Sequence, residues 1–383
     1  MVISKRPLQF VLACIIAFLP LFGFANNDND TIVAEGHEVA HSASEAGHGK
    51  TAEPKDKKAK IKEFISHHLL DSHSFYFNAN EETGEHFGFP LPIIIWDNGF
   101  QIFSSAKFHN GEEVAEHNGN YYVLHHEKIY KTDASGTLIE NEATGHPSNV
   151  RPLDLSITKS VIGIILVAIL MFFLFSGLAK SYAKNGGIGK GFGRIFEPLV
   201  LYIRDEMAIP NIGEKNYKKY MSFLLTVFFF IFFLNLLGLT PFGFNVTGNI
   251  AVTFSLAILT YLITTFTAKK DYWKHMLWMP GVPIILKPFL ALIELLGTII
   301  KPFSLMIRLY ANMLAGHVVL MSIIALMFFF KSWIGSPLSF LLAFSLSILE
   351  ILVAFLQAYI FTMLTSLYFG AANEEHSHEE AHH

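Results

Sequence analysis

Apolar positions crowd into five long runs between residues 156 and 369, while residues 26 to 155 are mostly polar with brief apolar groups. The runs are Ser156 to Leu178, Met221 to Thr240, Asn249 to Ala268, Phe289 to Phe330 and Pro337 to Phe369. Each is at least as long as the ~20 residues a helix needs to cross a ~30 Å hydrocarbon layer. This pattern predicts an all-α polytopic membrane protein with about five transmembrane helices. The last two runs exceed the bilayer at 1.5 Å per residue, so they are expected to be steeply tilted, broken, or both, with Pro302 offering a break in the fourth.

The polar region has its own order. Lys5 and Arg6 precede the apolar run Leu8 to Phe22, and Gly23-Phe24-Ala25 ends it with small residues at the third-last and last places. Residues 1–25 therefore read as a secretory signal peptide. Residues 26–60 hold almost no large apolar side chain and are expected to be a disordered exported tail. In residues 61–77, Ile61, Phe64, Ile65, His68 and Leu69 share one helical face, which predicts a short surface helix. Further on, Asn98-Gly99, Asn110-Gly111 and Asn118-Gly119 separate runs rich in strand formers. They predict small antiparallel hairpins in an exported segment, 61–150.

Basic residues orient the spans. Lys180, Lys184, Lys190, Arg194, Arg204, Lys215, Lys218 and Lys219 lie between the first and second runs, and Lys269, Lys270, Lys274 and Lys287 follow the third. The segment Pro241 to Gly248 has neither Lys nor Arg. The basic loops are expected on the cytoplasmic side, with the N-terminus exported and an acidic, His-rich tail, 373–383, in the cytoplasm.

Composition narrows the classes. The 383 residues are 52% hydrophobic and 16% charged, well under the ~25% of soluble proteins. The one cysteine, Cys14, falls within the signal run, so no structural zinc site or thiol nucleophile is expected in the mature chain. A net charge of −4 with basic residues beside apolar spans argues against nucleic acid. Twelve of the 18 histidines lie between His37 and His146. None has metal-ligand spacing on a firm element, and solvated side chains are the expectation.

The chemistry concentrates in three ionisable residues. From Pro302 to Phe330 the only such groups apart from tyrosine are Arg308 and His317, and from Pro337 to Phe369 the only one is Glu350. An arginine near mid-bilayer costs about 2.5 to 3.5 kcal/mol and requires a partner or a water path. Asn312 shares its face, whereas His317 is half a turn away and ~13 Å further along. Glu350 and Gln357 are nearly aligned seven residues apart. Ala311, Ala315 and Gly316 allow something to approach the fourth helix closely. Imidazole and carboxyl in one wet cavity suit proton transfer, and a fixed guanidinium suits keeping two half-paths apart.

These residues resemble subunit a of the rotary F-type ATP synthase. Lys301 to His317 (KPFSLMIRLYANMLAGH) is similar to that family's signature, and Leu349 to Tyr368 to its final helix, with further likeness at His67 to Leu69 and Asn235 to Pro241. The likeness covers about 61–78 and 153–372 and implies a membrane domain over 151–372. It also implies a proton-translocating stator subunit without a catalytic site or cofactor of its own. Its implied partners are the ring of c subunits, the peripheral-stalk b subunits and lipid, in a bacterial inner membrane. By the same resemblance Arg308 faces the rotor carboxylate, Asn312 and Gln357 are its polar neighbours, His317 and Glu350 form the access-path pair, and Glu294 belongs to the cytoplasmic-side path. In many family members the pair has the acid first and the histidine second, so the residue types are exchanged here. The exported insert, 79–150, lies outside the resemblance. The alternative is a stand-alone proton-coupled secondary transporter, which internal repeats would favour; the five runs show none.

Overall fold

The computed structural model describes residues 70–79, 86–111, 113–139, 147–184, 186, 193–240, 244–278, 283–329 and 335–373. The expected signal peptide, the tail 26–60, the helical face at 61–69 and the C-terminal tail from 374 lie outside the described residues. Strands β1 (Ser74–Ala79) and β2 (His86–Pro90) pair antiparallel. The predicted surface helix therefore does not reach residue 77. The aromatic-rich Ser-Phe-Tyr-Phe suits a pleated pair better than a helix turn.

Two small sheets follow. In the first, β3 (Pro92–Trp96) lies between β4 (Phe100–Ser104) and β8 (Leu153–Asp154); in the second, β6 (Asn120–His125) lies between β5 (Ala115–His117) and β7 (Lys128–Thr132). Asn118-Gly119 forms a two-residue turn with φ positive at both positions, the geometry that matches strand twist, whereas Asn98-Gly99 closes a three-residue loop with Asp97 between Trp96 and Phe100. Asn110-Gly111 instead ends a 3-10 turn, Ser105–Gly111. The β6–β7 turn is made by His126 and Glu127 at φ 47 and 58, with no glycine to announce it in sequence. The sheets enclose one core of Ile93, Ile95, Phe103, Phe108, Tyr122 and Ile129.

A buried charge network ties this segment to the first membrane helix. His73 Nε2 bonds Asp154 Oδ2 at 2.9 Å, its Nδ1 is 3.7 Å from Glu127 Oε2, and its backbone N–H donates to the same Glu127 oxygen at 3.2 Å. Glu127 thus explains its own strained turn, since positive φ at a non-glycine residue persists only where the surroundings hold it. Asp71 accepts from the Thr158 hydroxyl and the Ser160 N–H at the start of the helix, and burial pushes its carboxyl up against those hydrogen bonds. So one of the twelve N-terminal histidines is neither solvated nor a metal ligand; it is a buried cation. Burial opposes its charge, but the hydrogen bonds it donates to Asp154 and Glu127 and their negative charge outweigh that and hold it at about 10. Asp154 is held below its ordinary value: burial opposes this, and the His73 bond and charge overcome it.

The sign follows from linkage. Stability from His73 is complete below about 6.5 and is lost as pH rises through about 10, whereas that from Asp154 is present above its ordinary 3.8 and is lost as pH falls. His73→Ala removes the cation that the buried carboxylates of Asp154 and Glu127 are set against and is expected to destabilise the segment by about 3–5 kcal/mol. Protease resistance of residues 70–155 in the intact complex, followed from neutral pH to above 10, checks both statements; an unchanged digestion pattern would contradict them.

The membrane helices are α1 (Lys159–Lys184), α4 (Tyr217–Gly238), α5 (Ile250–Thr267), α7 (Lys287–Phe329) and α8 (Gly335–Asn373), which agree with the five apolar runs. Asn249 caps α5 by accepting from the Ala251 N–H. Two connections predicted as loops contain helices. In the first, α2 (Gly193–Tyr202), a π turn (Ile203–Ala208) and α3 (Ile209–Ile212) run in succession and bury Val200, Ile203, Met207 and Ile212 in the membrane core. Pro198 and Pro210 disguise this amphipathic stripe in sequence. In the second, α6 (Lys270–Leu277) precedes α7.

Helix α7 does not break at Pro302. It has 43 residues, about 65 Å of helix. Proline removes one backbone bond, and neighbouring helices in a membrane can hold such a gap. With α8 at 39 residues, both helices exceed twice or nearly twice the ~27 Å a bilayer spans at its thinnest, so neither fits upright. Helix α8 packs on both α4 and α7. Its far end is fixed by the Asn373 amide to Tyr220 Oη at 2.7 Å, the Tyr220–Phe369 stack and the Asn211 amide to Ser366 Oγ at 2.7 Å.

Candidate functional site

Helix α7 has two working faces. On the outer one Ser304, Ile307, Arg308, Ala311, Asn312 and Ala315 are exposed, while Leu305, Leu309 and Met313 are buried on the inner one. The three-and-four spacing of these positions is what a helix with one face turned to its own bundle requires. Arg308 forms no ion pair among the described residues. The guanidinium is therefore presented outward from a surface that, apart from Asn312, is apolar or small.

His317, nine residues on, is on the opposite side and 8% exposed. Its ring lies against Gly238 of α4, where a Cβ would be 3.1 Å from Nε2. Glu350 of α8 lies against Gly316, where a Cβ would be 2.9 Å from Oε1. Imidazole and carboxyl are thus seated on two successive residues' worth of one helix turn, with α4 closing the third side. His317 Nε2 and Glu350 Oε2 are buried and find no hydrogen-bond partner among the described residues. Buried polar atoms of this kind are served by ordered water in native proteins. A small polar relay borders them: Thr247 Oγ1 donates to Asn235 Oδ1 at 2.8 Å, and the Asn235 amide is 3.5 Å from the Ala354 carbonyl.

The glycines were the part of this site hardest to see in sequence. Gly316 stands out as small, but Gly238 sits in a run of Leu and Phe with nothing to single it out. Gly238→Ala would push a Cβ to 2.9 Å from the Phe244 carbonyl oxygen, which is backbone, so assembly itself is expected to suffer by about 1–3 kcal/mol. Gly316→Ala meets only the end of the Glu350 side chain. That variant is expected to assemble normally and to conduct protons several-fold more slowly, which parallel measurements of assembly and flux would separate.

The remaining expected site residues are dispersed. Asn312 shares the exposed face with Arg308, one turn away. Gln357 is 3% exposed and lies within the bundle, not on that face. Glu294 is exposed near the start of α7, and its carbonyl accepts the Thr298 hydroxyl. Among the described residues no three His, Cys, Asp or Glu side chains are placed to hold a metal ion.

Comparison with known proteins bears on the whole arrangement. The family profile described as ATP synthase A chain matches residues 161–370. A second profile, a domain of unknown function (DUF8433), matches residues 64–155. The chain is 42% identical over 248 residues to ATP synthase subunit a 2 of Chlorobaculum tepidum, covering 61% of this chain and 67% of that protein. It is 40% identical over 266 residues to ATP synthase subunit a of Anaeromyxobacter sp. strain Fw109-5, covering 67% and 64%. With ATP synthase subunit a of Myxococcus xanthus it shares 41% identity over 238 residues, covering 60% and 77%. The chain thus spans about two thirds of the length of the first two of these relatives.

Proposed function

The chain belongs to the ATP synthase A chain family, and from that premise we propose that it is the proton-translocating stator subunit of the membrane sector of an F-type ATP synthase. It has no catalytic site of its own and works as one part of the complex. Arg308 is the fixed stator charge. It faces a ring of c subunits, attracts the ring carboxylate and bars direct passage between two half-paths. His317 and Glu350 relay protons in one half-path, Glu294 serves the other, and Asn312 is Arg308's polar neighbour on the ring side. Gln357 acts from within the bundle. Peripheral-stalk b subunits hold the chain against the turning ring.

The single observation that carries this reading is the outward Arg308, without an ion pair among the described residues, on a face that is small or apolar apart from Asn312. A lipid-facing arginine at that depth would be costly, whereas a partner carrying a carboxylate offsets the cost. The small residues at Ala311 and Ala315 allow that partner's helix to come close. Cysteines at Ala311 or Ala315, paired with cysteines flanking the ring carboxylate, are expected to form disulfides in the assembled complex. Absence of any cross-link, with cross-links forming instead on the Gly238 face, would exclude the assignment.

The basic connections, which include α2 and α6, support a cytoplasmic location for that end of the bundle, in a bacterial inner membrane with the N-terminus exported. Residues 1–25 are then a signal peptide, 26–60 an exported tail and 61–150 a folded exported segment preceding the membrane domain, with 373–383 a cytoplasmic tail.

A further inference from the structure

A half-open cleft lies between α5, α6, α7 and α8. We infer that it binds the phosphate of an anionic phospholipid. Lys301 lines it, a partly buried cation on a membrane helix with no ion pair among the described residues. The ammonium stands over the Tyr368 ring at 5.5 Å, a contact that stabilises the charge without neutralising it. A cation held at such a place calls for an anion.

The donors in the cleft fit that anion. Thr260, Thr264 and Thr298 also line it, but each donates its hydroxyl proton to the carbonyl four residues earlier in its own helix. That leaves the Lys301 ammonium, the Thr265 hydroxyl and the phenols of lining residues such as Tyr272 as donors toward a ligand. The two charged non-bridging oxygens of a lipid phosphodiester match an ammonium and neutral hydroxyls better than a bare cation or a sugar would.

Depth argues for a lipid headgroup. The cleft reaches Ala371 near the end of α8, and the neighbouring Ala372 carbonyl accepts the Lys269 N–H just before α6. Helix α6 carries exposed Lys270, Trp273 and Lys274, and Lys287 stands 4.3 Å over the Trp278 ring. Tryptophan and lysine in such density mark the membrane–water interface, and basic pockets between helices at that level receive anionic headgroups.

The test uses the intact complex in phosphatidylcholine vesicles doped with a phosphatidylglycerol that carries a photo-reactive group near its phosphate. Peptides of α5 to α7 bordering the cleft are expected to take the label. Lys301→Gln should lower labelling roughly tenfold, the loss of one charge-assisted hydrogen bond. Tyr272→Phe, which removes only a hydroxyl, should lower it less, and Lys215→Gln, an exposed lysine elsewhere, should leave it unchanged. If Lys301→Gln fails to assemble, Tyr272→Phe carries the comparison. Equal labelling of the wild type and the variants that assemble overturns the site. Displacement by inorganic phosphate, with unlabelled phosphatidylglycerol ineffective, assigns the anion to the water phase and overturns the lipid.

Discussion

Arg308→Ala and Arg308→Lys are both expected to abolish ATP-driven proton pumping by the complex reconstituted with its ring. The alanine variant loses the stator charge outright. At an effective dielectric constant near 20, a unit charge at 4 Å is worth about 4 kcal/mol, close to three decades in an equilibrium. The lysine variant is the sharper test, because an argument from charge alone would allow it. Guanidinium stays protonated when water is withdrawn, and its flat donor fork meets a carboxylate with two bonds. An ammonium is a strongly hydrated point charge that can surrender its proton. On the outward face of α7, with no carboxylate among the described residues to hold it, a lysine could pass a proton to a ring carboxylate and take one from the other side. Passive flux should therefore rise in Arg308→Lys while pumping disappears. Pumping at the wild-type rate by either variant would remove Arg308 from the mechanism.

The second large effect concerns the pair behind that face. Glu350→Gln keeps the shape of the side chain against Gly316 but removes the proton site, and His317→Ala removes the imidazole against Gly238. Each is expected to lower pumping by roughly a hundredfold or more, the usual range for loss of a positioned proton-transfer group. Exchanging the two residues, His317→Glu with Glu350→His, keeps one acid and one imidazole in the same space. The double variant should pump faster than the product of the two single exchanges allows, with a coupling of about 0.5–3 kcal/mol. Strict additivity would mean that the two groups act separately.

Much of this site was legible because helical periodicity is local. Nine residues between Arg308 and His317 already put them on opposite faces, and the exposed and buried sides of α7 agree. The five spans were readable for a similar reason: apolar length is a property of the chain itself. Contacts between distant segments were not readable. Gly238 gains its meaning only when α4 brings it against His317, and Gln357 turns inward because α8 packs on α4 as well as on α7. Pro302 misled because the rule against proline in helices is drawn from backbone sterics and ignores what neighbours can compensate. His73 was hidden among many histidines. Its charge is set by Glu127 and Asp154, 54 and 81 residues away in sequence.

That separation also sets an order of events during synthesis. Strand β3 is complete at Trp96, but its second edge stays open until β8 and the residues after it arrive, when Leu155 N–H reaches the Ile94 carbonyl and Ile94 N–H reaches Ser156 Oγ. At roughly 5–20 residues per second, the ribosome needs several seconds to supply them. Through that interval Ile94 and Trp96 belong to an unpaired edge, the part of a nascent chain most open to wrong partners. The last pieces, Asp154 and Ser156, are delivered just ahead of α1. The N-terminal segment therefore gains its last strand only once the chain has been made up to the residues just before α1, so its folding is tied in time to the arrival of the first helix.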